Sequence, residues 1–223
     1  MIIIETQYWP PISSVALFYK HRNIFIEKHE NYQKRSYRNK CQILGSQGIH
    51  TLVVPLKKGK NAQKNITEVE ISYDSQWIEK HLKTIQSFYG KSPYFAYLFD
   101  GIKQLYLEPY KKLFELNQTI IKWILDFLDC DFTLDSTEAY IRKYQKNSVC
   151  DCRNLIIPGS KKFQAVLKTC PYPQCFADRY NFVSNLSILD LLFCTGKEAS
   201  VLLMELSKQM PDYSFQSSQA KST

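Results

Sequence analysis

The stretch MIIIETQYWPPISSVALFYKHRNIFIEKH, residues 1–29, sets a helical run between two β-branched ones. MIIIE reads as a short buried strand. Ser13 or Ser14 stands ahead of Val15, Leu17, Phe18 and Tyr19, where either hydroxyl can accept from the unpaired N–H groups of a helix start. NIFIEKH reads as a second strand. Strand, short helix and strand in succession predict a small right-handed crossover with parallel pairing.

Working outward, KRSYRNKCQILG, IHTLVVPLK and ITEVEIS are three further β-branched or alternating runs, punctuated by GSQG and by the polar loop KKGKNAQKN. They read as strands, antiparallel in part. From about residue 75 the apolar period becomes helical. Trp77, His81, Ile85 and Phe88 share one face of a helix ending near Gly90, a second helix follows Pro93, and Leu113, Leu116, Ile120, Ile124 and Leu128 line a third. Residues 131–180 offer only short elements, with Pro158, Pro171 and Pro173 among them. These features give an α+β chain: a small mixed β-sheet in the first third, sheet-rich over 1–74, and a helical part over 75–210. Residues 1–210 form one domain, and 211–223 read as a flexible tail.

Composition narrows the setting. The 223 residues carry a formal net charge of +8 and are 44% hydrophobic, enough to bury a core and to favour anionic partners. The opening apolar run is too short for a signal peptide, and nowhere do about 18 apolar residues follow one another as a membrane span requires. Seven cysteines are an odd number, which argues against a closed disulfide framework and for a reducing cytoplasm. Cys150, Cys152, Cys170 and Cys175 form C-x-C and C-x4-C pairs, near structural-zinc spacing but not at it. No helix-turn-helix, finger or RNP pattern supports nucleic-acid binding.

Near the end, NFVSNLSILDLLFCTGKEAS, residues 181–200, sets Asn185, Ser187 and Asp190 in an apolar segment. Ser187 and Asp190 have capping-box spacing, in which the hydroxyl accepts from the Asp190 N–H and the carboxylate reaches back. Gly196 would release the chain into a second helix, KEASVLLMELSKQ. Asn185 has no such explanation.

Several of these stretches together resemble the WbqC-like family of bacterial proteins associated with lipopolysaccharide O-antigen genes. They are TQYWPP, with Gln7, Tyr8, Trp9 and Pro10; EKHENYQKRSYRNKCQI, with Lys34, Arg35, Asn39, Lys40 and Ile43; LVVPL; ITEVEI; Trp77 and His81 ahead of YGKSPYF; Tyr172 and Gln174; and LSILD. The family's aspartate pair falls here on Lys28 and His29, and an asparagine on Cys41. The resemblance implies a cytoplasmic role in making or decorating surface polysaccharide and marks Gln7, Tyr8 and Asp190 as substrate-binding residues.

The candidate chemistry follows from residue types. Arg38 and Lys40 would share one strand face with Lys34 nearby, a basic surface suited to a diphosphate or phosphopantetheine phosphate, or else an edge strand protected by charge. Cys41 beside these cations is a candidate thiolate, with His29 or His81 as its base; a buried structural thiol is the alternative. Asn39 and Asn185 are candidate oxyanion donors. The leading expectation is a transferase passing an acyl or aminoacyl group from a carrier thioester to an amino sugar, with His29, Cys41 and His81 as catalytic candidates. An acyl carrier protein bearing a phosphopantetheine donor would be its partner, and no metal is called for. The alternatives are a glycosyltransferase on a nucleotide sugar, for which DCD at 129–131 is the sole D-x-D, and a non-catalytic adaptor for a sugar nucleotide or carrier.

Overall fold

The computed structural model describes residues 1–144 and 149–211. All but the first residue of the expected tail therefore lies outside the described residues. In chain order the elements are β1 (Ile2–Glu5), α1 (Ile12–His21), β2 (Asn23–Glu27), β3 (Lys40–Gly45), β4 (Gly48–Val53), α2 (Trp77–Tyr89), α3 (Phe95–Gln104), α4 (Leu113–Phe127), β5 (Thr133–Ser136), β6 (Cys150–Asp151), α5 (Gln164–Leu167), α6 (Ala177–Tyr180), α7 (Ile188–Thr195) and α8 (Ala199–Gln209). The chain is α+β, with parallel and antiparallel pairing both present.

The opening stretch folds as its pattern dictates. β1 and β2 pair in parallel across α1, Ile2 with Ile24 through Glu5 with Glu27. β5 adds in parallel outside β2 and β6 outside β1, giving the order β5-β2-β1-β6. The residues of β1 are all buried, as a central parallel strand requires. The antiparallel pairing resides in a separate hairpin, β3 with β4, closed by the Gly45–Gly48 pair. The third expected strand, ITEVEIS, does not form. Ile66–Glu68 is a single 3₁₀ turn whose start is capped by Asn65, and Glu70 and Ile71 make isolated bridges to Lys112 and Leu56.

The helices match their apolar periods. α2 stops at Gly90, with Trp77, His81, Ile85 and Tyr89 on its buried face. α4 buries Leu113, Leu116, Ile120 and Ile124. Gly196 parts α7 from the turn leading into α8 with φ 58°, where a Cβ would sit 2.4 Å from the Tyr94 ring, so glycine is required there.

The start of α1 corrects the sequence reading. Its cap position is Pro11, and Ser13 and Ser14 are buried inside the first turn. The orphan donor, the Ser13 N–H, is met from far along the chain by Asn185 Oδ1 at 3.1 Å. Asn185 has φ 60°, a conformation asparagine tolerates better than most residues. Around it the Ile12 N–H donates to Leu186 O (3.0 Å), the Ile188 N–H to Pro10 O (2.8 Å) and the Ser187 N–H to Gln42 O (2.7 Å). Ser187 Oγ donates to Trp9 O at 3.0 Å and accepts from the Leu189 N–H at 3.3 Å. Ser187 is thus the cap of α7, although its hydroxyl serves Leu189 rather than Asp190. Asn185→Gly keeps the backbone conformation and loses the cap, so urea unfolding should show a loss of about 1 kcal/mol. Asn185→Ala should cost more, because alanine also resists the positive φ.

Candidate functional site

Parallel strands end on the same side of their sheet. Chain order runs outward from β1 to β2 and β5, then returns to β6 on the other flank of β1, so the connections reverse between β1 and β6. Open α/β sheets hold their ligands at such a reversal, beyond the strand carboxyl ends. The residues that follow the four strands here are Glu5 to Gln7, Glu27 to Glu30, Thr137, and Asp151 to Asn154.

These residues form two hydrogen-bonded sets, one around Glu5 and Glu30 and one around Glu27 and Asp151, adjoining through the chain neighbours His29–Glu30 and Arg153–Asn154. Glu5 accepts from Gln7 Nε2 (2.9 Å) and from the Asn154 N–H (2.8 Å). Glu27 accepts from Thr137 Oγ1 (2.8 Å), the His29 N–H (2.9 Å) and Arg153 Nη1 (2.9 Å). Arg153 also grips Asp151 through Nε (2.9 Å) and Nη2 (2.6 Å), with its guanidinium centre 4.8 Å from the Tyr140 ring. Glu30 takes both arms of Arg38, at 2.8 and 2.6 Å, and Arg38 Nη2 extends to Asn154 Oδ1 at 2.9 Å. Burial raises the Glu30 carboxyl above its ordinary range, against the pull of Arg38. With all six groups ionised, Glu5, Glu27, Glu30 and Asp151 outnumber Arg38 and Arg153, so an acidic centre lies inside a basic protein. Among the described residues, four buried polar atoms here find no hydrogen-bond partner: Thr6 Oγ1, Gln7 Oε1, Arg38 Nη1 and Asn117 Oδ1. Asn117 belongs because its Nδ2 donates to Arg38 O at 2.8 Å. Such atoms cost about 1–3 kcal/mol each when left unmet, which favours a polar ligand or water beside them.

The expected basic face is dismantled. β3 begins only at Lys40, Lys34 is exposed, and Arg38 is fully buried and turned onto Glu30. Asn39 has its amide engaged at both ends, accepting from Tyr32 Oη (3.0 Å) and donating to Val54 O (2.9 Å). Cys41 is fully buried. Burial pushes its thiol up, the reverse of the expected cation-stabilised thiolate. Of the expected site residues, Gln7, His29 and Arg38 meet at the sheet end. His29 Nε2 lies 3.0 Å from Thr137 O, which in the neutral ring fixes the proton on Nε2 and leaves Nδ1 as the acceptor.

Tyr8 and His81 belong to a different cluster. Trp9 Nε1 donates to Tyr106 Oη at 2.7 Å, Tyr106 and Tyr8 hydroxyls lie 2.7 Å apart, and Tyr8 Oη lies 3.0 Å from His81 Nδ1. Indole can only donate, so Tyr106 Oη accepts from Trp9; where His81 carries its proton on Nε2, Tyr8 donates to Nδ1 and Tyr106 in turn donates to Tyr8. His81 keeps its own proton on Nε2 for the Val53 carbonyl, and burial holds its pKa down to about 4. Its basic nitrogen is already occupied.

Asp190 forms a third centre. It does not reach back to Ser187 as a capping box would; its carboxylate accepts from Tyr89 Oη (2.7 Å), Tyr172 Oη (2.7 Å) and Gln174 Nε2 (3.1 Å). Burial raises its pKa while these donors pull it down. Cys150, Cys152, Cys170 and Cys175 do not gather, and among the described residues no group of three His, Cys, Asp or Glu could hold a metal ion. Asp129 and Asp131 line a hollow of about 510 Å³ with Arg22 and Lys197. That hollow adjoins the residue preceding β2, at the amino ends of the strands.

Sequence reasoning missed Glu5, Glu27, Glu30, Thr137, Arg153 and Asn154. The signal was the polar residue that ends or follows each strand, EKHE and CDCRN included. It stayed unreadable while β6, two residues long, was unrecognised.

Two measurements check these assignments. Arg38→Met leaves Glu30 buried without its partner and should cost about 3–5 kcal/mol in urea unfolding, with Arg38→Met/Glu30→Leu recovering part of the loss. His81 has a folded pKa of about 4 against an ordinary 6.5, so the unfolded chain takes up the proton first as pH falls. Stability should drop between these two values by up to about 3 kcal/mol, and His81→Gln should flatten that part of the curve. The raised carboxyls of Glu30 and Asp190 act in the opposite sense, adding stability in acid that fades as pH rises through their folded values.

Comparison with known proteins places this architecture. No helix among the described residues is long and apolar enough to cross a membrane. An uncharacterised protein of Mycobacterium tuberculosis (strain ATCC 25618 / H37Rv), Rv1507c, is 28% identical over 140 residues, covering 62% of this chain and 60% of the relative. The chain thus spans about three-fifths of that relative's length. No solved structure matches. The model of the WbqC-like protein family matches residues 6–158, a span that holds nearly every side chain of the sheet-end network and stops short of Asp190. The chain belongs to the WbqC-like protein family.

Proposed function

We propose that this protein is a transferase that passes an acyl or aminoacyl group from a carrier thioester to an amino sugar bound at the carboxyl ends of the parallel strands. The observation that carries the reading is the surplus of buried carboxylates there, with Gln7 Oε1 and Arg38 Nη1 lacking partners. An acidic, polar setting suits a sugar ammonium and its hydroxyls and repels a diphosphate. The phosphate role once expected of Arg38 passes to the exposed face, where Lys34 remains free to meet an acidic carrier.

The step balances with groups already present. The acceptor ammonium gives a proton to neutral His29 at Nδ1. The free amine attacks the thioester carbonyl carbon, forming the C–N bond and a tetrahedral oxyanion that Arg38 Nη1 can meet as a donor. Collapse breaks the C–S bond, and the carrier thiolate leaves with the proton returned by His29; the nitrogen, cationic since its attack, gives its second proton to the freed His29 Nδ1 and so to solvent. Amide and thiol are the products.

The expected outcome is selective. Glucosamine should raise the melting temperature, and N-acetylglucosamine, lacking the charge, should not. His29→Asn should bind the acceptor within about twofold yet lose at least 10²-fold in transfer from an acylated carrier, the range of one general base. Equal stabilisation by the amine and its N-acetyl form would remove the acidic-site reading.

A further inference from the structure

A second concavity lies away from the sheet end. It encloses about 530 Å³ between the end of α2 and the segment leading into α6, with Phe88, Lys91, Ser92, Pro93 and Phe176 in its walls. Ser92 is 8% exposed, and its hydroxyl makes no hydrogen bond. Cys175 and Cys194 both line this groove. Their sulfurs are 3.8 Å apart, although one precedes α6 and the other lies near the end of α7.

We propose that Cys175 and Cys194 are a reversible dithiol–disulfide pair, oxidised from the groove by a low-molecular-weight disulfide. The two cysteines differ as attacking and resolving thiols must. Cys175 is half-buried, so a small disulfide can reach it from the groove, whereas Cys194 is buried behind it. Either thiol can donate across the 3.8 Å contact; with Cys194 as donor the Cys175 pKa is lowered and that of Cys194 raised, and the thiolate is the attacking species. The Cys175 thiolate attacks one sulfur of the reagent; the reagent's S–S bond breaks, and one small thiol departs with a proton from solvent. Cys194 then loses its proton and attacks Cys175, expelling the second small thiol. Two protein thiols are oxidised and one small disulfide is reduced. A disulfide spans about 2.05 Å between sulfurs, so closure draws the segment before α6 toward α7. That segment carries Gln174, which hydrogen-bonds Asp190.

The other cysteines do not compete from the same position. Cys150 and Cys152 bring their sulfurs to 3.4 Å but are both buried. Cys170 faces Thr169 and Gln209 rather than Cys175.

The test uses the full chain, fully reduced, then incubated with oxidised glutathione, alkylated and digested with trypsin. Wild type should retain five of its seven thiols and yield a cross-link to the peptide holding Cys194, reversed by dithiothreitol and placed by fragment-ion sequencing on Cys175 rather than on Cys170 of the same tryptic peptide, residues 169–179. Cys194→Ser should instead accumulate one glutathione on Cys175, and Cys175→Ser should leave Cys194 unmodified. The proposal is overturned if wild type holds the glutathione adduct as long as Cys194→Ser does. It is overturned equally if the cross-link joins Cys170, or if all thiols stay free where the denatured chain is oxidised.

Discussion

The fold depends on a clasp between two loops far apart in sequence. Residues 9–13 and 185–188 exchange backbone hydrogen bonds, and the Ser187 hydroxyl closes onto Trp9 O across 178 residues. The same clasp starts two helices at once. Asn185 supplies the cap that α1 lacks locally, and Ser187 supplies its own for α7. Since Gln42 O receives the Ser187 N–H, the β3–β4 hairpin is tied to the same point, and the two sheets are positioned relative to one another without pairing directly.

Around that clasp the protein buries more charge than its size would suggest. Two guanidiniums and three buried carboxylates, with the half-exposed Asp151, meet at the sheet end, and a further buried carboxylate, Asp190, is held by two tyrosines and a glutamine. Desolvating such groups costs several kcal/mol apiece, and a purely stabilising core would use aliphatic residues instead. The two centres differ in kind. Asp190 is enclosed by neutral donors and serves to orient Tyr89, Tyr172 and Gln174. The sheet-end cluster keeps Gln7 Oε1 and Arg38 Nη1 without a hydrogen bond among the described residues.

Much of this architecture was legible in the sequence where order is local. Residues 1–29 declare a crossover because strand and helix periods alternate within one short stretch, and α2 and α4 declare themselves by their apolar faces. What could not be read depends on partners distant in sequence. β6 is two residues of Cys and Asp, with no period to detect. Arg38 looked like a surface cation because nothing nearby reveals that Glu30 turns it inward. The spacing of Ser187 and Asp190 matched a capping box, yet tertiary contacts claimed the carboxylate for tyrosines brought from elsewhere. Asn185 could be explained only once the unpaired end of α1 was seen beside it.

The placement of β1 has a consequence for how the chain reaches this state. β1 forms early contacts with β2 through a short crossover, but its other edge waits for β6, and Glu5 waits for Asn154, 149 residues further on. During synthesis, then, an isoleucine-rich strand stands with one edge unpaired until most of the chain has emerged. Pairing at such long range slows folding, and unpaired edges invite association. The sheet end, where Glu5 meets Asn154, therefore closes only through contacts of long sequence separation.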